Sequence, residues 1–594
     1  MSKIMKWEPE DPQFWKEHGS GLAWRTCGIT TFSLVSSFAT WFVMSAVVVR
    51  LPNIGFKFST MELFWLAAIP GLASGILRLI HSFFIPVLGT RPVVSIATII
   101  KLIPMVWLGF AVQDLNTGFW TFIIIGFLSG MGGGDFSSYM PSTSIFFPKR
   151  LQGLAMGIQA GIGNFGVSVV QFVTPWIITF AIFGAAVGGP QIFTKGDVIK
   201  GAITVTKVAE DPTAVGVDCK KKDAKCVVTD IVVNKPELAA AIVVTKDAGV
   251  VKDVVVQDTD TVKAIKADVV KDASGKIIAV NKTEGILVGG TAPFTPVKKN
   301  AAGAVTDVAV KNVIKKGIWV QNAAFWYIPW LIIAFILSMI FLRSIGTLKG
   351  RGFKGQFEIL SKRNRALTHS WNCTITYIAS FGSFSGYAAA FPMMIKVIYG
   401  GFDGAPDPLQ YAYLGPLIGG VIRAVTGPIW DKLGGSIGMQ YTTIGQILGC
   451  LYLIFGGYLT PAGLEQFPGF VYGMLWIFLM TGINNAATFR QYPIIFAYSA
   501  SKGAQMLGWT GAWAAFGPFV FTSLIGGSIT GYGSAIPFFA GIAIYYAYST
   551  IINWWYYTRK GCERGDWGNV KGTWWDRLSD AEKEKIKRID LQKA

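Results

Sequence analysis

The chain has 594 residues, 52% of them hydrophobic and only 15% charged, and its mean hydropathy is +0.46. A soluble protein would be about a quarter charged, so the composition rules out an ordinary water-soluble domain and describes a membrane protein. The net charge of +19 does not indicate a nucleic-acid partner, because the basic residues fall in loops beside apolar runs and no basic face alternates with stacking aromatics.

Residues 1–27 are charged and aromatic and contain no signal-peptide core. They are expected to form an uncleaved cytoplasmic segment whose start lies flat on the membrane. Crossing a hydrocarbon core of ~30 Å takes about 20 residues. Runs of that kind follow at 28–50, 61–88, 92–112, 119–146, 151–186 and 322–344. Six more lie at 370–399, 409–430, 437–459, 470–498, 504–529 and 535–557. The pattern predicts an all-α membrane protein of twelve helices in two six-helix halves. Helices 1–5 fall within 28–186, helix 6 within 319–345 and helices 7–12 within 369–558, with a basic linker at 346–368 and a tail at 559–594.

Lysine and arginine set the expected orientation. With the N-terminus inside, the inner loops carry Arg91, Lys149, Arg150 and the basic stretch 343–365, whereas the outer loops 113–118, 400–408 and 460–468 hold acids and no lysine or arginine. Both termini are therefore expected in the cytoplasm, with the chain multi-pass in the cell (inner) membrane.

One outer connection is different. Residues 187–318 contain no arginine or tryptophan and are rich in Val, Thr, Asp and Ala. β-type runs such as VVVQ (254–257) and KIIAV (276–280) alternate with the turn signals NKPE (234–237), KDASGK (271–276) and NKTEG (281–285). A β-rich insertion on the extracytoplasmic side is expected between helices 5 and 6. Its two cysteines, Cys219 and Cys226, could pair in an oxidising compartment or remain free thiols.

Two arginines sit inside apolar runs, where a charge costs several kcal/mol unless something offsets it. Arg78 has Pro70-Gly71 upstream and Gly89 eleven residues on; Arg423 has Gly415-Pro416 upstream and Gly434 eleven residues on. One buried arginine at the same place in each half suggests a pseudosymmetric anion site between the halves. No nucleophile–base pair, metal spacing or cofactor motif occurs, and GMGGG (130–134) has neither a preceding strand nor a following GK[ST]. No enzymatic activity, cofactor or metal is expected.

The block GMGGGDFSSYMPSTSIFFPKRLQGLAMGIQAGIGNFGVSVVQ (130–171) resembles the signature of the nitrate/nitrite porter (NarK-type) family of the major facilitator superfamily. WFVMSAVVVRLPNIGFKFS (41–59), TYIASFGSFSGYAAAF (376–391) and GINNAATFRQYPIIF (482–496) resemble its helices 1, 7 and 10. The resemblance implies a twelve-helix transporter in which Arg78 and Arg423 grip the anion. It also implies that Phe136, Tyr377 and Phe381 flank it, with Asn164 and Asn485 as polar lining. Gly157, Gly161, Gly163 and Gly166 of helix 5 would pack closely against helix 8, with Gly482 in helix 10. DKLGG (431–435) matches the superfamily's gating turn through Asp431, Lys432 and Gly434; its counterpart GTRPV (89–93) keeps Gly and Arg but lacks the Asp. The physics agrees with such a site. Nitrate and nitrite are small, planar and weakly hydrated, and so is a guanidinium with its rigid donor fork, while aromatic edges surround a flat anion without a competing charge.

Three residues depart from the family pattern: Asp135 and Gln159 stand where Asn is usual, and Asn484 where glycine is. Asp135 either forms a structural ion pair, with Lys101 or Arg490, or carries protons. His81, one turn beyond Arg78, is either a satisfied polar residue near the inner mouth or part of proton handling. The expected function is transmembrane exchange of nitrate and nitrite by a chain that works as a monomer in the lipid bilayer. The alternatives are proton–nitrate symport through Asp135, transport of another anion such as cyanate or formate, and a receptor or scaffold that binds an unidentified partner through the insertion.

Overall fold

The protein is seen in a computed structural model that describes residues 4–81, 88–183, 187–214, 216–217, 219, 225–257, 269–275, 277–289, 297–346, 358–402, 404–567 and 572–591. Among these residues, twelve helices are long and apolar enough to cross a bilayer. The first half holds α1 (Pro12–Val47), α2 (Thr60–His81), α3 (Thr90–Ala111), α4 (Phe119–Ser144), α5 (Arg150–Ile177) and α6 (Asn322–Phe341). The second holds α7 (Arg363–Tyr399), α8 (Leu409–Leu433), α9 (Gly435–Phe455), α10 (Leu464–Ile495), α11 (Gln505–Tyr532) and α12 (Ile536–Thr558). This is the helical fold of two halves with a sheet-containing insertion that the apolar runs predict.

Several boundaries differ from expectation. Helix starts at Pro12 rather than near 28: Asp11 accepts from the Gln13 N–H at 2.9 Å and proline occupies the first helical position. Trp7 meets Phe146 edge-on at 5.2 Å, and Trp15 meets Phe147 at 5.8 Å, so the segment folds back on the turn between α4 and α5. α5 ends at Ile177 instead of continuing to 186, and the Ile178 carbonyl accepts from Trp319 N–H at 2.7 Å as the chain leaves for the insertion. The expected continuation of α2 runs through 82–87, the end of the fifth run through 184–186 and about half of the basic linker through 347–357, all outside the described residues, as are 220–224 and Lys276.

Close helix approach places the site. α2 packs on α11: a Cβ on Gly71 would lie 2.4 Å from Phe519 N. α4 is broken into Phe119–Ser129, Met131–Gly134 and Phe136–Ser144. Its glycine run is pressed against α1 and α2, where a Cβ on Gly132 would meet the Ser37 carbonyl at 2.0 Å and one on Gly133 would meet Ser74 Oγ at 2.1 Å. Only glycine permits so short an approach.

The insertion contains strands β1 (Gln191–Val198), β2 (Ile203–Ala209), β3 (Cys226–Val233), β4 (Ile242–Asp247), β5 (Val250–Val256), β6 (Val269–Lys271), β7 (Ile277–Val280), β8 (Thr283–Gly289), β9 (Lys298–Lys299), β10 (Val305–Asp307) and β11 (Ala309–Ile318). β1, β11 and β8 form one antiparallel sheet, in which Gln191 faces Ile318, so the two ends of the insertion leave the bundle side by side. Hairpins β2–β3 and β4–β5 share a small core of Val228, Leu238, Val251, Val254, Val305 and Val310. Cys219 and Cys226 are joined in a disulfide.

The tail after α12 returns to the bundle. Arg564, 4% exposed, donates to the Ile495 carbonyl at 2.8 Å and stacks on Trp574 at 5.1 Å. Asp566 accepts from the Gly435 N–H at 2.8 Å and caps α9, with Arg490 at 3.7 Å. A short helix, α13 (Asp580–Leu591), pairs its Asp590 with Lys502. Burial pushes the Asp566 carboxyl up to about 6, against the opposing pull of Arg490 and the Gly435 and Ser436 N–H groups, while Asp431 adds to the rise. An acid raised in the folded state adds stability at low pH that is lost as pH climbs through that value. We therefore expect parent protein to lose thermal stability relative to Asp566→Asn between about pH 4 and 6, read as the difference between their melting curves. Parallel curves across that window would refute the assignment.

Candidate functional site

α7 does not run as a regular helix. Residues Ile378–Gly382 form a π turn between Ala366–Tyr377 and Ser383–Tyr399, the kind of local widening that recurs at functional sites. The turn aims Phe381 at the seam between the halves. The guanidinium carbon of Arg78 lies 5.3 Å from the Phe381 ring centre and that of Arg423 lies 5.7 Å from it. One ring thus sits beside both buried arginines, which are 1% and 6% exposed.

Each guanidinium is held in an aromatic cradle. Arg78 lies 4.8 Å from Phe136 and 5.6 Å from Trp41; Arg423 lies 5.1 Å from Phe384. Arg78 Nε donates to the Gly133 carbonyl at 2.8 Å and Nη1 to the Gly511 carbonyl at 2.9 Å, so α4 and α11 fix its plane. Its Nη2, and Nε and Nη2 of Arg423, are buried with no hydrogen-bond partner among the described residues. Buried charged donors left unmatched are costly, and these three belong to the two cations that share Phe381. Tyr377 is stacked on Phe381 at 6.0 Å. The arrangement can hold a small planar anion and offers it no competing carboxylate among the groups in the cradle.

The polar residues expected nearby are buried, but they differ in use. Asn485 donates to Ser380 Oγ at 3.4 Å and Asn164 to the Ala160 carbonyl at 2.5 Å, and the Oδ1 of each has no partner among the described residues. Gln159 donates to the Tyr139 carbonyl at 3.1 Å, and Asn484 to Thr443 Oγ1 at 2.9 Å, so these two departures from the family pattern tie helices together. Asp135 pairs with Lys101 rather than Arg490. Lys101 Nζ and Ser37 Oγ donate to the same carboxylate oxygen at 2.5 and 2.7 Å, and His81 Nδ1 stands 3.6 Å from the other and 3.2 Å from Ser138 Oγ.

The helix-packing expectation needs correction. Gly163 and Gly166 do make close contacts, but with α1: added Cβ atoms would meet Leu34 at 2.6 Å and the Val35 carbonyl at 2.3 Å. Gly157 and Gly161 face open space, with no atom within 4 Å of an added Cβ. Gly482 approaches α8, where an added Cβ would meet the Gly419 carbonyl at 2.4 Å. At the gating turn Asp431 and Lys432 are exposed. Gly434 takes φ 102°, and its missing Cβ leaves room for the Asp566 backbone, whose carbonyl would lie 1.9 Å away. Trp41, Phe384, Gly511 and Asp566 join the candidate residues here. Phe384 had a signal, being one turn from Phe381; the Gly511 carbonyl had none.

No protein-family profile matches the chain. It is 40% identical over 561 residues to a probable nitrate/nitrite antiporter, NarK2, of Thermus thermophilus, an alignment spanning 94% of this chain and 98% of that one. The chain belongs to the nitrate/nitrite porter family. This porter is also 27% identical over 580 residues to the nitrate/nitrite transporter NarU of Escherichia coli, covering 94% of the porter and 96% of NarU. Among solved structures it is similar to a partially occluded inward-open form of the xylose transporter XylE from E. coli, at 11% identity and a TM-score of 0.49, covering 90% and 97% of the two chains.

Proposed function

We propose that the porter exchanges nitrate for nitrite by alternating access, with the anion held between Arg78 and Arg423 beside Phe381. The observation that carries this reading is the pair of buried guanidiniums, one from each half, whose unmatched donors belong to one aromatic site. At a separation of roughly 10 Å and an effective dielectric near 20, two like charges repel by about 2 kcal/mol. A bound anion bridges them and offsets that cost, so the loaded carrier changes state more readily than the empty one, which is the requirement for exchange. Asp135 is engaged by Lys101 and Ser37, which favours exchange over proton symport through this carboxylate. Both arginines come from one chain, so a monomer suffices. The distribution of lysine and arginine supports cytoplasmic termini in the cell membrane.

The test is efflux from nitrate-loaded proteoliposomes. Efflux should be slow into anion-free buffer and fast when nitrite or nitrate is added outside, with cyanate and formate as poor replacements. Rapid net movement driven by a pH gradient without external anion would instead establish symport. Equal stimulation by formate would reassign the substrate.

A further inference from the structure

On the side that carries the insertion, the seam between the halves is closed by charged residues that the anion site does not use. Arg50, 8% exposed at the end of α1, donates from Nη2 to both carboxylate oxygens of Asp407 at 2.9 and 2.6 Å. Lys396, near the end of α7, donates to the Asn53 side-chain oxygen at 2.9 Å and to the Val49 carbonyl. Deeper in the same seam, Gln171 of α5 donates to Ser45 Oγ at 3.1 Å and to the Ala388 carbonyl at 2.8 Å.

Strand β1 of the insertion lies over this closure. Asn53 Nδ2 donates to the Thr194 carbonyl at 3.1 Å. The ring of Phe193, 8% exposed, lies 5.8 Å from the Arg50 guanidinium carbon and 5.6 Å from Lys316 Nζ. Lys195, two residues beyond Phe193, shares a cavity of about 470 Å³ with Asp407, Gln410 and Tyr411 of the second half.

We propose that β1 is the roof of the gate on this side, and that Phe193 turns the Arg50–Asp407 pair into a latch that holds the carrier closed there. An ion pair open to water contributes little, because solvent screens it and two long side chains must be ordered to form it. Phe193 acts on both points. Its ring keeps water from the guanidinium, which strengthens the attraction, and its face holds Arg50 in place before Asp407 arrives. β1 is attached between α5 and α6, so it moves with the first half, as do Arg50 and Asn53. When the gate opens, Arg50 stays under its roof while Asp407 and Lys396 leave with the second half. The insertion therefore weights the equilibrium toward the closed gate without crossing the seam itself.

The experiment uses the purified full-length protein in nanodiscs, carrying Ser45→Cys as a reporter below the gate and Cys562→Ser to remove a partly exposed thiol. The rate of maleimide labelling at position 45 reports how often the gate opens and needs no transported anion, so it is independent of the substrate assignment. Phe193→Leu, which keeps the apolar bulk but loses the ring face, should raise the rate about fivefold. Phe193→Tyr should leave it within about twofold of the parent. Asp407→Asn should raise it at least as much as Phe193→Leu, and adding Phe193→Leu to Asp407→Asn should add nothing. A Phe193→Leu rate equal to the parent would overturn the proposal, as would a Phe193→Leu effect undiminished beside Asp407→Asn. So would an equal acceleration by Val255→Ala, on an exposed hairpin remote from the gate.

Discussion

Lysine at position 78 or 423 should lower nitrate exchange in proteoliposomes about a hundredfold or more, a loss on the order of 3 kcal/mol, while the protein still reaches the membrane. Arg78 spends Nε and Nη1 on the Gly133 and Gly511 carbonyls and leaves Nη2 without a partner among the described residues, which is the donor the proposed anion would take. Its planar fork serves three directions at once. A lysine ammonium is a point charge on a flexible stem and cannot reach two carbonyls while also facing the seam. It would also stack poorly between Phe136 and Phe381, which lie 4.8 and 5.3 Å from the guanidinium carbon. For Arg423 the loss is of directionality: Nε and Nη2 are both unmatched, and a single ammonium does not reproduce a two-point grip. Exchange within a few-fold of the parent in either variant, at matched protein content, would remove the arginines from the site.

The second large effect concerns the buried pair beneath Arg78. Lys101 and Asp135 have side chains 0% and 1% exposed and lie 2.5 Å apart. Removing one partner of such a pair leaves a charge with nothing to balance it and costs about 3–5 kcal/mol, whereas removing both together is often close to neutral. Lys101→Met and Asp135→Asn should each lower the melting temperature of the solubilised protein sharply, and Lys101→Met/Asp135→Asn should recover most of the loss. The double variant should also retain nitrate–nitrite exchange, because on the proposed mechanism Asp135 takes no part in it. If both single variants melt with the parent, the pair has no structural role. If the double variant is stable but transport has gone, Asp135 belongs to the transport chemistry after all.

The sequence disclosed the parts of this molecule whose signal is local. Twelve apolar runs have the length a bilayer demands, and a charge inside such a run stands out, which is why Arg78, Arg423 and Asp135 could be singled out without coordinates. The β-rich insertion was legible for the same reason, from turn residues between short Val-rich runs. What stayed hidden depends on which neighbour arrives from far along the chain. The glycines of α5 marked a smooth face but could not say that Gly163 and Gly166 would meet α1 while Gly157 and Gly161 faced open space. The π turn at Ile378–Gly382 leaves the apolar periodicity of α7 almost unchanged, yet it decides where Phe381 points. The gating turn showed Asp431, but the carboxylate that caps α9 is Asp566, from beyond the last span. The roof over Arg50 joins residues separated by the whole of α2 to α5, and nothing in either segment advertises the other.

The tail has a consequence for how the molecule is made. Arg564, Asp566, Trp574 and Asp590 brace α7, α9, α10 and α11 at one face, yet they are translated after every helix they touch. All twelve spans must therefore enter the bilayer with this face bare, and at ~5–20 residues per second the interval between α7 and its brace lasts on the order of ten seconds or more. During that time the Gly435 N–H and the Ile495 carbonyl lack the partners that Asp566 and Arg564 give them in the finished fold. The second half is thus completed last, as a knot tied in a thread already drawn through the cloth.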